Sequence, residues 1–361
     1  MKLEYLLSAL LACQTVAEAS PIDRIFRHKT PENKQNALAS LLQSGLPLPN
    51  ATNSSYTNTT SNNGTNNTTT SYQNKTNTTK PADSLQVIFT GGQVSITNTS
   101  KVHTNTTNLF NSSRALNITQ MYDVATAINS TININTTTGA VVVANSRSLE
   151  GLGFFSSVLF DNKKPIVISD DSKLAAVVAA DKGAASRGTL VVTKDGKIYN
   201  GVFAPSSICR EECAGIPVGI VTSAGKVQWF FDASIPTLVN STSIIRREFK
   251  NFTYASDFTN SIVPIVYDGE YSSELIESVS GNIEGLVVAT TGSSNSTTSP
   301  FEDIPVVFAQ ADSTESFVGE GDVPKGAIAA GYLSPVQAQI LLSIAAANGV
   351  TETEDVQSLF P

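Results

Sequence analysis

Residues 164–193 read KPIVISDDSKLAAVVAADKGAASRGTLVVT. Two short β-branched runs, KPIVIS and GTLVVT, flank SKLAAVVAADKGAAS, a stretch suited to a helix. Near-continuous apolar runs of this length are what strands require when a parallel sheet buries both of their faces. Strand, helix, strand is the repeating unit of an α/β domain. The unit recurs outward in both directions. LQVIFT (85–90), GAVVVAN (139–145) and PVGIVT (217–222) read as further strands, and TQMYDVATAINS (119–130) and LEGLGFFSSVLF (149–160) as helices. Past a variable stretch the alternation resumes with IVPIVY (262–267), SSELIESVSG (272–281), GLVVATTG (285–292), IPVVFAQ (304–310) and SPVQAQILLSIAAANG (334–349). The expectation is α/β: a larger parallel-sheet domain over 85–225, a linker over 226–255 and a smaller α/β domain over 256–361.

The 361 residues suffice for two such domains. Residues 1–19 read as a signal peptide, with Lys2, an apolar run from Leu6 to Cys13 and Ala17-Glu18-Ala19 as cleavage site. The run is too short to span a bilayer. The C-terminal ETEDVQSLFP offers no hydrophobic tail for a lipid anchor. Secretion without a membrane anchor is therefore expected. The net charge of −8 and the lack of a basic patch argue against a nucleic-acid partner. Cleavage of the signal leaves Cys209 and Cys213, in SSICREECAG. In an oxidising compartment they read first as a local disulfide, with two free thiols as the alternative. Only two histidines, His28 and His103, occur, so no metal site and no His-based triad is expected.

Between Asn50 and Lys80 the chain is nearly devoid of apolar side chains, and residues 20–84 are expected to be disordered. The pattern there is N-x-S/T. Acceptors are Asn50, Asn53, Asn58, Asn63, Asn66, Asn67, Asn74 and Asn77. Further sequons fall at Asn98, Asn105, Asn111, Asn117, Asn129, Asn135, Asn240, Asn251 and Asn295, and none lies between Ala140 and Val239. In a secreted chain these are N-glycan acceptors, expected to face outward around a sugar-free core.

The turn after the first strand, Thr90-Gly91-Gly92-Gln93, bears on chemistry. With GAVVVAN, KPIVIS, VVAADKGAASRGTLVV and GYLSPVQAQILLSIA, it resembles the type II L-asparaginases over residues 85–361. The resemblance implies a two-domain asparaginase fold and marks where that family's chemistry would lie. Gln93 occupies the nucleophile position, and an amide cannot attack an amide. Arg147-Ser148 replaces the Thr-Asp pair, and Pro205 falls near the lysine. For the loop tyrosine only Thr106 or Phe110 are candidates. No catalytic residue is thus expected. Thr90, Gly91, Gly92, Ser113, Asn145, Ser146 and Ser148 remain as a vestigial pocket, and a collapsed or glycan-covered cleft is the plainer expectation.

The leader, the Asn/Thr tract, TGGQVSITN, AVVVAN, WFFDAS and GYLSPVQAQILLSIAAANGV resemble a family of budding-yeast secreted cell-wall glycoproteins from end to end. One member is a nutrient-limitation glycoprotein, another a sporulation-specific spore-wall maturation protein. This resemblance implies a non-catalytic, heavily glycosylated wall protein for stress or spore-wall maturation. It would act without a cofactor, as a monomer, in or near a polysaccharide or mannoprotein matrix. The alternatives are a residual amidohydrolase using Thr90 or a nearby serine, and a pseudoenzyme that binds an amino acid or glycan. Acidic residues form no convincing pair for glycoside hydrolysis. Trp229, Phe230 and Phe231 are expected in packing, with a sugar-stacking platform as the sharper alternative. Arg246-Arg247 reads as a solvated linker pair, or as a dibasic processing site.

Overall fold

The computed structural model describes residues 83–92, 103–206, 215–248, 262–269, 278–290, 301, 303–311 and 317–361. The signal peptide, the Asn/Ser/Thr tract to residue 82, Gln93, Cys209, Cys213 and the sequons at Asn98, Asn251 and Asn295 lie outside the described residues.

The first part of the chain runs β1 (Ser84–Phe89), β2 (His103–Asn108), α1 (Ile118–Ile132), β3 (Thr137–Val143), α2 (Leu149–Leu159), β4 (Ile166–Ser169), α3 (Ser172–Ala180) and β5 (Thr189–Val192). It continues through β6 (Lys197–Asn200), β7 (Pro217–Val221), β8 (Val227–Trp229) and α4 (Ile244–Glu248). The remainder is β9 (Ile265–Tyr267), β10 (Leu286–Thr290), β11 (Val306–Gln310), β12 (Ile328–Ala329), α5 (Pro335–Ala347) and α6 (Thr353–Gln357).

Eight strands form one sheet in the order β2-β1-β3-β4-β5-β6-β7-β8, and four form another, β12-β11-β10-β9. The smaller sheet is parallel throughout. The larger one is mixed rather than purely parallel. From β2 to β5 the pairs are parallel, and β5 to β8 are joined antiparallel. β6 has a local cause that the sequence shows, the Asp195-Gly196 pair. Gly196 adopts φ +80° and its N–H donates to the Thr193 carbonyl at 2.8 Å, so the chain turns straight back. Gly225, at φ +70°, does the same between β7 and β8. β8 therefore lies in the large sheet, at the head of the stretch expected as linker. β2, HTNTTN, is a strand although it looks like polar loop. It occupies a sheet edge, where polar side chains can remain in water.

β1, β4 and β5 are buried along their whole length, as their apolar runs predict. Alternate residues feed two cores. Ile88, Val142, Ile168 and Val191 meet α1 and α2 on one face, through Val124, Ile128, Leu152 and Phe155. Val87, Val143, Val167 and Leu190 meet Ala175 and Val178 of α3 on the other. The first core continues through α5 into the smaller sheet, taking in Ile340, Leu341, Val287 and Val307. Helix starts follow sequence signals. Asn117 and Ser334 each close a capping box, with Gln120 and Gln337, and Pro335 opens α5.

Candidate functional site

The strand order β2-β1-β3-β4-β5 reverses direction between β1 and β3. In open α/β sheets, ligands enter at such a point, beyond the carboxyl ends of the strands. Three segments meet there: Thr90-Gly91-Gly92 after β1, Ala144 to Ser148 after β3, and Asp170 after β4. The fold thus brings Thr90, Gly91, Gly92 and Asn145 to one edge, as the pocket expectation requires. What they do there differs from what a pocket needs.

Thr90 is fully buried, and its hydroxyl donates to the Val143 carbonyl at 3.2 Å. Its backbone N–H bonds the same carbonyl, and its own carbonyl accepts from the Ser112 N–H at 2.9 Å. Gly91 and Gly92 adopt φ +148° and +81°. A Cβ on Gly91 would run into the Ser112 carbonyl oxygen, and one on Gly92 would lie 2.6 Å from that of Ala144. These glycines are explained by backbone packed against backbone.

The segment 112–116 crosses this edge and is pinned from below. Asn145 donates its amide to the carbonyls of Ser112 (3.0 Å) and Arg114 (2.6 Å), while its oxygen caps the Arg147 N–H. Buried Ser148 accepts from the Leu116 N–H at 3.1 Å. Ser113, Ser146 and Arg147 are exposed. Pro205 is half-buried and offers no group able to transfer a proton. The candidate pocket residues are therefore split, some spent on holding backbone and others in solvent.

Sequence reasoning missed two carboxylates. Asp170 is 4 % exposed, with one oxygen 3.3 Å from the Lys194 ammonium and the other without a hydrogen-bond partner. Burial pushes its acid up from the ordinary value, and Lys194 draws it part of the way back. Glu150, in the first turn of α2, is buried and accepts from Ser206 (3.0 Å) and from Ser334 at the head of α5 (2.6 Å). Ser334 also opens the capping box of α5, a pattern readable in the sequence.

Two arginines hold backbone, one of them against expectation. Arg246 is not a solvated linker residue. Its guanidinium donates to the carbonyls of Ser157, Val158 and Phe160 at the end of α2, and to that of Val239. Arg187 donates to the carbonyls of Gly183, Phe231 and Asp232, and lies 4.1 Å over the Trp229 ring. Trp229 in turn donates to Asp181 at 2.9 Å. Trp229 packs as expected, but Phe230 and Phe231 are 47 % and 60 % exposed. Among the described residues, no group of three His, Cys, Asp or Glu side chains could hold a metal, and no helix is long and apolar enough to cross a membrane.

Comparison with known proteins decides the family. Protein YGP1 of Saccharomyces cerevisiae is 51 % identical over an alignment covering 100 % of both chains. The chain belongs to the YGP1 family. The sporulation-specific wall maturation protein of the same yeast is 40 % identical, over 79 % of this chain and 91 % of its own. L-asparaginase 2-3, also from this yeast, is 22 % identical over 69 % of the chain and 74 % of its own. The YGP1-family chain thus has an asparaginase-like α/β fold and only distant similarity to the enzymes. No family model matches it.

Proposed function

We propose that the chain is a secreted, N-glycosylated cell-wall protein without asparaginase chemistry, serving adaptation to nutrient limitation or stress, or spore-wall maturation. Thr90 carries the reading. The one hydroxyl retained in the TGG turn is fully buried and donated to the Val143 carbonyl, away from any substrate. A nucleophile needs a base within hydrogen-bond reach and an approach for the electrophile. Thr90 has neither. At Gln93 the asparaginase resemblance puts an amide where the family's nucleophile stands.

The wall role draws on the relatives, one of them named for wall maturation. Secretion draws on the leader, and glycosylation on the sequons. The six acceptors within the described residues, Asn105, Asn111, Asn117, Asn129, Asn135 and Asn240, are all exposed or half-exposed. Buried Asn200, by contrast, belongs to no sequon. Cys209 and Cys213 are read as a local disulfide, and a polysaccharide or mannoprotein matrix as the surroundings.

Fractionation of cells expressing the chain tests this function. The expected result is recovery from wall and medium, with a large mass loss on enzymatic removal of N-glycans. Recovery from the cytosol at the unmodified mass would overturn it.

A further inference from the structure

A depression of about 380 Å³ lies away from the strand-end edge, lined by residues 161–163, Ser186, residues 233–235, Asn240 and Ser241. That volume falls in the range of small-molecule sites, roughly 300–1,000 Å³. Each wall adjoins a backbone carbonyl held by one of the two arginines. Arg246 holds Phe160, before the 161–163 wall, and Val239, before Asn240. Arg187 follows Ser186 and holds Asp232, before the 233–235 wall. Ser186 itself takes φ +60°, alone among non-glycine residues of the described chain, and its N–H donates to the Lys163 carbonyl at 2.9 Å. Strain of this kind persists where the surroundings fix it. The walls are pre-set rather than loose.

The lining mixes a carboxylate (Asp161), an ammonium (Lys163), amides and serine hydroxyls with the apolar Ile235 and Ala233. Interspersed donors and acceptors beside apolar side chains suit a neutral polyhydroxylated ligand. Asn240 brings one. It heads the sequon Asn240-Ser241-Thr242, and its side-chain oxygen accepts from the Thr242 N–H (3.0 Å) and hydroxyl (2.8 Å). That leaves the amide nitrogen, the atom that carries an N-linked sugar, unspent in the wall of the depression. Among the other described acceptors, the Asn105 amide is donated to Ser84.

We propose that the depression seats the first sugars of an N-glycan on Asn240, so that this glycan is part of the fold whereas the others decorate it. The inference rests on the glycosylation reading above. The modification joins the Asn240 amide nitrogen to the anomeric carbon of the reducing-end sugar of a lipid-linked oligosaccharide. The lipid diphosphate leaves with the bonding electron pair, and the amide loses one proton.

The test uses the full chain from a secretory, glycosylating host, as wild type, Thr242→Ser, which keeps the sequon, and Thr242→Ala, which removes it. Asn111→Gln and Asn135→Gln serve as controls. Glycopeptide mass spectrometry reads occupancy; melting temperature and backbone hydrogen exchange read the seat. The expected result is occupancy in wild type and Thr242→Ser. Thr242→Ala should melt about 2–4 °C lower, with faster exchange over 161–163 and 233–235, and the controls should not change. Endoglycosidase trimming of native wild type to a single sugar should reproduce part of the loss without any substitution. Occupancy with unchanged melting and exchange would overturn the seat and leave the glycosylation reading intact. An empty Asn240 beside occupied Asn111 and Asn135 would also overturn it. If no sequon is occupied, the glycosylation reading and the seat fail together. Saturable binding of free mannan or glucan oligosaccharide at the same walls in Thr242→Ala would assign the depression to a wall ligand instead, and overturn the seat.

Discussion

At the scale of single residues, the strand-end edge is built for backbone contact. Gly92 holds φ +81° against the Ala144 carbonyl. Gly92→Ala combines left-handed strain with a close contact, and should cost about 1–3 kcal/mol, read as a lower denaturation midpoint. Asn145→Ala removes two bonds to the 112–114 backbone and should cost about 1–2 kcal/mol. Asp170 carries a pH signature. Its acid is raised above the ordinary 3.8 by burial. The folded chain therefore binds this proton more tightly than the unfolded chain. The stability it contributes is fully present below pH 3.8 and is lost as pH rises through the higher folded value. Asp170→Asn should thus raise the melting temperature at pH 7, and the gain should vanish as pH falls toward 4. A pH-independent difference would contradict this. None of these positions announces its partner in the sequence. TGG states that a tight turn exists, whereas the Ser112 carbonyl that enforces Gly91 comes from a loop about twenty residues away.

Secondary-structure elements were more legible, and unequally so. The buried parallel strands were plain, because a strand covered on both faces is apolar at most of its positions. An exposed edge strand escapes that rule. HTNTTN reads as loop because its side chains are exposed at the sheet's edge, and KIYN, an interior strand, is announced by the Asp195-Gly196 turn before it rather than by an apolar run. The arginines show the limit on capping. An N-terminal cap is local, so Asn117 and Ser334 are visible three residues from Gln120 and Gln337. The end of α2, by contrast, is capped by Arg246, more than eighty residues along the chain. A guanidinium there satisfies orphan carbonyls and opposes the helix dipole's negative end. Arg246→Ala should cost about 2–4 kcal/mol, since it leaves several carbonyls unpaired in a poorly solvated site. Arg246→Lys should recover only part of that, because an ammonium lacks the planar fork. Denaturant midpoints of the two variants check the ranking.

Across the whole molecule, α2 and α5 join the two sheets through the first core, and Glu150 is a polar element of that joint. It accepts from Ser206, beyond β6, and from Ser334, at the head of α5. Glu150→Ala should cost about 1–3 kcal/mol by removing the buried acceptor that two half-buried hydroxyls share. A double-mutant cycle with Ser334→Ala should be non-additive, because the two side chains touch. Phe155→Ala, in the adjoining apolar core, should cost about 3–5 kcal/mol. The joints of the fold are thus kept, while among the described residues Thr90, Asn145 and Ser148 at the strand-end edge spend their polar groups on backbone. That contrast is the central claim, and ammonia release from L-asparagine and L-glutamine tests it most directly. Purified, deglycosylated chain should release no more than Thr90→Ala does. Turnover that Thr90→Ala abolishes would contradict the account, and would mean that the buried hydroxyl reaches a substrate after all.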